Sequence, residues 1–519
     1  MDKQTLLFDF SPYLDQREEI LPLIREFAAH DGFRSAAVEE LELDDDFYRR
    51  PLRPEDLDFL LFKKPIRAET VSRLPSLASQ RLLLTLNEAG VARLPRSVDA
   101  DEFARFDGYY GERNQVLGAR IRPFLENYAF TFVGDEASPQ QDARAYRASL
   151  HELIDAESAF WRDAFGTLMR NDYLPEGLRF VMIQRWSLAP SRRIAVGRAV
   201  ASGYFDAIDA ANRPVLDAAA NDALLARVAG FTGLTRREHS YWQFYLPTSL
   251  AKVNLLYALG SRPDRAFALL GAAFAAEAEA LAFSLALAEA CPHLVAPSSR
   301  GAAHPNAHPN AHPSAKPHAG TSADAGVGAD PLAALVARFE AALAQLEARY
   351  GTQGLYRFGQ GWGAAVKLAS RARWDLGEQL RWLSSIDQYV RFAKGIDQRI
   401  NAERPDIDRE TFVEPREMCS TTHVHNDHRL VVIESGDMIF WGNVGMQLQM
   451  TRGDMVLIPD GRLHGSTVTS AECTYHQPII PDEWIAELPP DTRPVPANAG
   501  LAPVAKAPAE TATATAVTS

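Results

Sequence analysis

The sequence predicts a multidomain chain that is all-α over most of its length and closes on a small all-β barrel. Three observations carry this. A chain of 519 residues is too long for one hydrophobic core, so it divides. Apolar residues recur at the three-to-four spacing of amphipathic helices as far as about Ile400. After Asn401 the period drops to two, and Gly-Asp and Gly-Asn pairs break the sequence into short strands.

The first segment, 1–140, is a helical N-terminal domain, as Ile20, Leu21, Leu23, Ile24 and Phe27 show. A helical bundle follows over 141–400, opened by Leu150, Leu153, Ile154 and Ala156. Its stretch Phe274 to Ala290 is so rich in Ala and Leu that it should be buried on all sides. Residues 292–330 change to Ala, Pro, His, Ser and Gly, with Ala-His-Pro-Asn nearly repeated over 303–313. Regularly spaced prolines remove backbone donors and block helix, so this stretch reads as a flexible insertion and spacer rather than a metal-sequestering tract. Helix resumes with the stripe Leu332, Leu335, Val336, Phe339, Leu343 and Leu346. Gly359, Gly361 and Gly363 read as a break before a further helical region from Leu376 to Ile400, and not as a phosphate loop, since no Lys-Ser follows. The β-region spans 401–488: Met446, Leu448 and Met450 alternate with Gln447 and Gln449, and turns are expected at Gly436-Asp437, Gly442-Asn443 and Gly453-Asp454. Residues 489–519, rich in Pro, Ala and Thr, read as a disordered tail.

Composition limits the partners. With 46% hydrophobic and 23% charged residues the chain is of ordinary globular type. Its net charge of −13 leaves no basic excess for nucleic acid or an anionic membrane, so small molecules are the expected ligands. Cys291, Cys419 and Cys473 are too few for a disulfide framework, which suits a reducing compartment. The first residues carry acids where a signal peptide carries bases, and no run of ~18 uninterrupted apolar residues occurs. The expected location is cytoplasmic.

The chemistry concentrates in the β-region. His423 and His425 stand two apart on a predicted strand and so share one face. The run from Gly453 through Pro459 and Gly461 to His464 adds a strand, a tight turn and a third histidine. Three imidazoles suit iron, zinc, copper or nickel. These residues resemble the two signature motifs of the cupins, HxH and GxxxxxPxGxxH, and the resemblance implies a cupin barrel with one metal on His423, His425 and His464. Glu417 stands where cupins usually carry a glycine before the first histidine, and Arg429 and Leu430 where they carry a glutamate ligand. A neutral three-histidine site leaves an ion its full charge and open positions for substrate and dioxygen, which favours oxygen chemistry with Fe(II). His428 falls on the opposite face of a regular strand and is read as supporting or exposed. Tyr475 is a candidate proton donor, with a structural buried tyrosine as the alternative, and Arg429 and Arg462 are candidate anchors for a substrate carboxylate, with surface arginine as the alternative.

The stretch from Glu238 and His239 through Trp242 to Lys252, with the helices around it, resembles a heme-oxygenase-like bundle. The order of helical segment, bundle and cupin is similar to the family of fused non-heme-iron enzymes that contains the N-nitrosourea-forming enzyme of streptozotocin biosynthesis. The resemblance implies a homodimer through the N-terminal helices, a di-iron centre in the bundle that hydroxylates guanidine nitrogens, and a cupin iron that builds an N–N bond. A di-iron bundle of this family ends in a helix with HxxxDxxH spacing, whereas the matching region here runs Arg371, Asp375, Glu378. Glu157, His239, Glu277 and Glu279 are the remaining candidate ligands, and the set is incomplete for a di-iron site. The expectation is therefore an Fe(II) cupin oxygenase of specialised metabolism acting with O2 on an amino-acid-derived substrate, N-hydroxylated in the family's scheme. Two alternatives stay open: a cupin dioxygenase of a small thiol or aromatic acid, and a metal-binding assembly module without turnover.

Overall fold

Among the described residues the elements up to Glu403 are helical, and antiparallel strands and one short helix follow. The computed structural model describes residues 6–28, 77–87, 100–130, 133, 142–216, 219–234, 241–295, 330–416, 422–425, 427–443 and 445–489. The His-Pro repeat, the C-terminal tail, His239 and Cys419 lie outside the described residues.

The N-terminal helices are α1 (Arg17–Ala28), α2 (Leu77–Asn87), α3 (Ala100–Tyr110) and α4 (Glu112–Ala129). The bundle comprises α5 (Ala143–Arg170), α6 (Leu174–Arg185), α7 (Ala189–Ala201), α8 (Ala219–Phe231), α9 (Pro247–Gly260), α10 (Ala266–Ala290), α11 (Pro292–Val295), α12 (Pro331–Ser384) and α13 (Ile386–Glu403). Short polar caps set several starts. Asp142 accepts a hydrogen bond from the Ala145 N–H at 2.8 Å, and Asp330 accepts from Leu332 N–H at 3.0 Å with Pro331 in the first turn. The helix α10 is long and apolar enough to cross a membrane, yet 78% of its most apolar window is buried inside the bundle, against α5 and α12.

The Gly359–Gly363 stretch corrects the sequence reading. It is not a break: α12 runs through it and kinks earlier, at Gly351, whose φ of 59° is open to glycine and strained for other residues. The glycines instead let helices touch backbone to backbone. A Cβ on Gly361 would lie 1.8 Å from the Ala268 carbonyl oxygen, and one on Gly271 would lie 2.3 Å from that of Phe358. The expected helix at Leu376–Ile400 is likewise the end of α12 followed by α13, and the start of the expected insertion forms the short α11.

The C-terminal part folds as two antiparallel sheets. One is ordered β1 (Thr411–Pro415), β7 (Glu472–His476), β2 (His428–Ser435), β5 (Met455–Ile458), with β8 (Ile479–Ile480) also pairing β2. The other is ordered β4 (Met446–Met450), β3 (Met438–Asn443), β6 (Gly465–Val468). The alternation in β4 holds, with Met446 and Met450 buried and Gln447 and Gln449 exposed. Two expected turns occur at Gly436 (φ 81°) and Gly453 (φ 89°). The third does not, because Gly442 and Asn443 end β3, and the Asn443 side chain accepts from the Gly445 and Met446 N–H groups at 2.6 Å each. A short helix, α14 (Asp482–Ala486), follows the last strand.

Substituting Gly361→Ala should force α10 and α12 apart. The expected cost is about 1–3 kcal/mol, read as a lower urea midpoint at unchanged slope.

Candidate metal centre

His423 and His464 are held opposite each other by reciprocal backbone hydrogen bonds, His423 N–H to His464 O at 3.0 Å and His464 N–H to His423 O at 3.1 Å. The His423–His425 segment is not the regular strand the spacing suggests, since only His423 takes part in this bridge. His425 is placed by the second motif: its carbonyl accepts from Gly461 N–H at 2.7 Å, and Gly461 sits at φ 71°, where a side chain would be strained. The glycine of that motif thus ties the two histidine segments together.

The three rings converge as the spacing predicts. One ring nitrogen from each of His423, His425 and His464 lies within 4.8 Å of the others. The Nε2 atoms of His423 and His425 are 3.2 Å apart. Two nitrogens bonded to one ion at ~2.1 Å stand about 3–3.4 Å apart at right-angle to tetrahedral geometry, so this separation fits shared coordination. His464 is 2% exposed, and its Nδ1 lies 2.8 Å from the Arg462 carbonyl oxygen. That contact puts the proton on Nδ1 and leaves the Nε2 lone pair bare. His464 Nε2 is buried and has no hydrogen-bond partner. Burial, reinforced by the neighbouring imidazoles, holds His425 and His464 well below the usual histidine range. Both are therefore neutral at pH 7, the form that binds a metal. On these observations the residues fit a divalent ion.

A cavity of about 230 Å³ opens on the rings between the two sheets. Phe440 stacks on His464 with centroids 5.6 Å apart. Tyr475, Gln477 and Glu414 line the far wall. Tyr475 is 6% exposed and stacks on Phe412 at 5.3 Å, and burial together with Glu414 pushes its hydroxyl far above the usual tyrosine range. It stays protonated at any working pH. Glu414 was not singled out by sequence reading. The available signal was alternation, because Phe412 and Glu414 share the face of β1 that lines the cavity.

The other sequence candidates lie apart from the rings. Arg429 does not line the cavity; its guanidinium is bonded to Asp427 at 2.7 Å, to Glu410 and to the Gln477 carbonyl at 3.0 Å. Arg462, 2% exposed, also lies outside the lining and stacks over Trp374 at 5.4 Å. His428 is buried rather than exposed; its Nδ1 accepts from Asp460 N–H at 3.0 Å. His476 faces away, with Nδ1 2.9 Å from the Thr411 hydroxyl.

Helical side chains fasten both histidine segments. Gln379, fully buried on α12, donates to the Leu463 carbonyl and accepts from its N–H, both at 2.9 Å, one residue before His464. Arg81 on α2 donates to the Thr422 carbonyl at 2.8 Å, and Gln243 accepts from Thr422 N–H at 3.2 Å, one residue before His423. Beside this seam lies Asp375 of α12, fully buried, bonded by the Thr248 hydroxyl at 2.7 Å, with Oδ1 unpartnered. Burial raises its pKa to about 6 against the attraction of Arg462.

In the bundle, the three candidate carboxylates are engaged by bases of the chain, while the fourth candidate, His239, lies outside the described residues. Glu277 accepts from Arg338 and from Val215 N–H at 2.8 Å. Glu157 pairs with Arg373 at 2.7 Å, and Glu279 with Lys252. They do not fit a di-iron centre.

Among curated proteins the chain is similar to nitrosourea synthase of Streptomyces achromogenes subsp. streptozoticus, 27% identical over 440 residues that cover 83% of this chain and 89% of that enzyme. The two proteins are related. No family model matches the chain. The similarity extends well beyond the β-region, since that region alone is far shorter than the aligned length.

Two predictions follow from the seam. Gln379→Leu leaves the Leu463 amide unpaired and should weaken metal binding about 10-fold or more in chelator competition, in the manner of residues that orient ligands. Asp375 holds its proton more tightly folded than unfolded, so its contribution to stability is largest below about pH 4 and is lost as pH rises towards 6. Asp375→Asn should therefore gain on the native protein by on the order of 2–3 kcal/mol between pH 4 and 7, seen in paired urea titrations.

Proposed function

We propose that the chain is an Fe(II)-dependent oxygenase of the cupin type in natural-product biosynthesis. Its substrate is an amino-acid-derived molecule carrying an N-hydroxyl group, and its product contains an N–N bond of the N-nitroso kind. The observation that carries this reading is the set of three converging imidazoles, with a buried and bare His464 Nε2, in a chain related over most of its length to nitrosourea synthase.

His423, His425 and His464 would hold the iron. Bound there, it supplies one-electron chemistry with dioxygen and a positive charge for anionic donor atoms. Everything else follows from the chain. None of the three histidines is an anionic ligand, and Glu414, the one carboxylate lining the cavity among the described residues, is bonded to the Tyr475 hydroxyl, so the anionic donors come from the substrate. An N-hydroxylated nitrogen with its acidified O–H meets that requirement. Tyr475, kept protonated, gives its hydroxyl proton to Glu414 and leaves its oxygen lone pairs to accept a hydrogen bond from a ligand in the cavity. Gln477 adds an amide able to donate and accept. Phe440 holds the His464 ring in its plane and keeps that side of the cavity dry. The cavity is enclosed between two sheets, which shields a reactive nitrogen–oxygen intermediate from water.

Protein purified without air should hold close to one iron per chain, and His464→Ala should lose it, as metal analysis would register. With an N-hydroxylated guanidine amino acid the loaded protein should consume O2 and release a product with an N–N bond, detected by mass spectrometry with two nitrogen-15 labels. Zinc or nickel in place of iron, with no O2 uptake, would overturn the proposal. Tyr475→Phe should keep the iron and lower turnover about 10-fold, the size of effect expected from losing one hydrogen bond and leaving Glu414 without its partner.

A further inference from the structure

A second constellation lies inside the bundle, and none of its members lines the cavity at the three histidines. Glu157 of α5 is fully buried, and Glu279 of α10 is 4% exposed. Paired acids on facing helices are the frame on which carboxylate bundles assemble two metal ions. Here the frame is filled by bases. Arg373 donates to Glu157 at 2.7 Å, Lys252 donates to Glu279, and Arg185 spans the two, 3.4 Å from Glu157 Oε2 and 3.5 Å from Glu279 Oε2. Three bases against two acids leave the cluster at +1, and two divalent ions would add four further positive charges in surroundings of low polarity.

The surplus positive charge faces a cavity. Its volume is about 60 Å³, and its lining includes Arg185, Lys252 and Glu279 among mostly apolar neighbours such as Leu255, Leu256, Phe283 and Leu368. Arg192 and Arg193 line it as well. Arg185 is held in place by Trp161 and Phe283, whose ring centroids lie 5.0 and 5.4 Å from its guanidinium carbon. Yet its hydrogen bonding is incomplete: Nε is buried without a partner, and both carboxylate contacts are long. An apolar-walled chamber with a partly unsatisfied cation at one end is built for an anionic head on a short apolar body. At about 10–15 Å³ for each water-sized group, the space takes roughly four to six heavy atoms.

We propose that this cavity binds a small aliphatic carboxylate, its anionic head on Arg185 and Lys252, in the place where related folds hold a di-metal centre. The site is independent of the barrel, so it stands or falls separately from the proposed oxygenase activity.

The test uses the full chain carrying His423→Ala and His464→Ala, which removes the metal route to a carboxylate. Sodium butyrate is titrated calorimetrically, with sodium chloride and butylammonium chloride as controls. One saturable site is expected for butyrate and none for the controls. Lys252→Gln should weaken butyrate about ten- to a hundred-fold, as loss of a charge-assisted hydrogen bond does, and Lys252→Arg should stay within several-fold. Lys252→Met, which keeps the apolar stem, is the second variant should the amide unfold the bundle. Absence of a saturable site, or equal binding by the neutral variants, overturns the proposal. So does an iron content of the native chain near three, falling towards one with Glu157→Gln.

Discussion

The three-histidine site depends on buried amide hydrogen bonds that cross from helix to sheet. Leu463 is clamped at both its N–H and its carbonyl by Gln379, and Thr422 is held by Arg81 and Gln243. Each clamp acts one residue before a histidine of the cross-bridged pair. A side chain's direction is set by the backbone it leaves, so the helices fix the rings without touching them. The third histidine inherits its position, because the His425 carbonyl is tied to Gly461 within the same loop that carries Leu463. The helical part and the sheets therefore form one device for placing three nitrogens.

That placement would be unstable if the rings could protonate freely. Three imidazolium ions within 4.8 Å would repel strongly, and burial makes the charged form costlier still. The fold resolves this by keeping the His425 and His464 rings neutral and directing the one assigned proton, on His464 Nδ1, outward to the Arg462 carbonyl. A neutral cluster with an orphaned, buried lone pair is poor as a structural element, since nothing inside the protein satisfies it. A bound cation would satisfy that lone pair.

Much of this was legible in the sequence, and the parts that were not share a cause. Local periodicity gave the helices around Leu150 and Leu335 and the alternation of β4, and the resemblance to the two cupin motifs gave the convergence of His423, His425 and His464. It failed at Gly359–Gly363, where glycines punctuate sequence as a turn does but serve a helix crossing with Gly271 and Ala268, a relation between residues about ninety apart. The clamps of Gln379 and Arg81 were equally hidden. A glutamine on a helix has no local signature of pairing with an amide eighty-four residues away. Arg429 and Arg462 were plausible anchors by type, but whether an arginine is already engaged is decided by tertiary partners such as Glu410 and Asp427.

The same limit bears on the bundle, and there it is instructive. The spacing of Arg371, Asp375 and Glu378 already departs from a histidine-bearing ligand helix, but spacing alone leaves open what a remaining carboxylate does. The structure answers by charge balance. Glu157 and Glu279 keep positions that would suit ligands, while Arg185, Lys252 and Arg373 satisfy them, and Asp375 stands among Thr248 and Arg462 at the seam with the sheets. A buried acid pair cannot persist without compensating charge, and here the bases supply it. The helical part thus retains the internal polarity of a ligand-binding bundle while supplying the barrel with its rigid support.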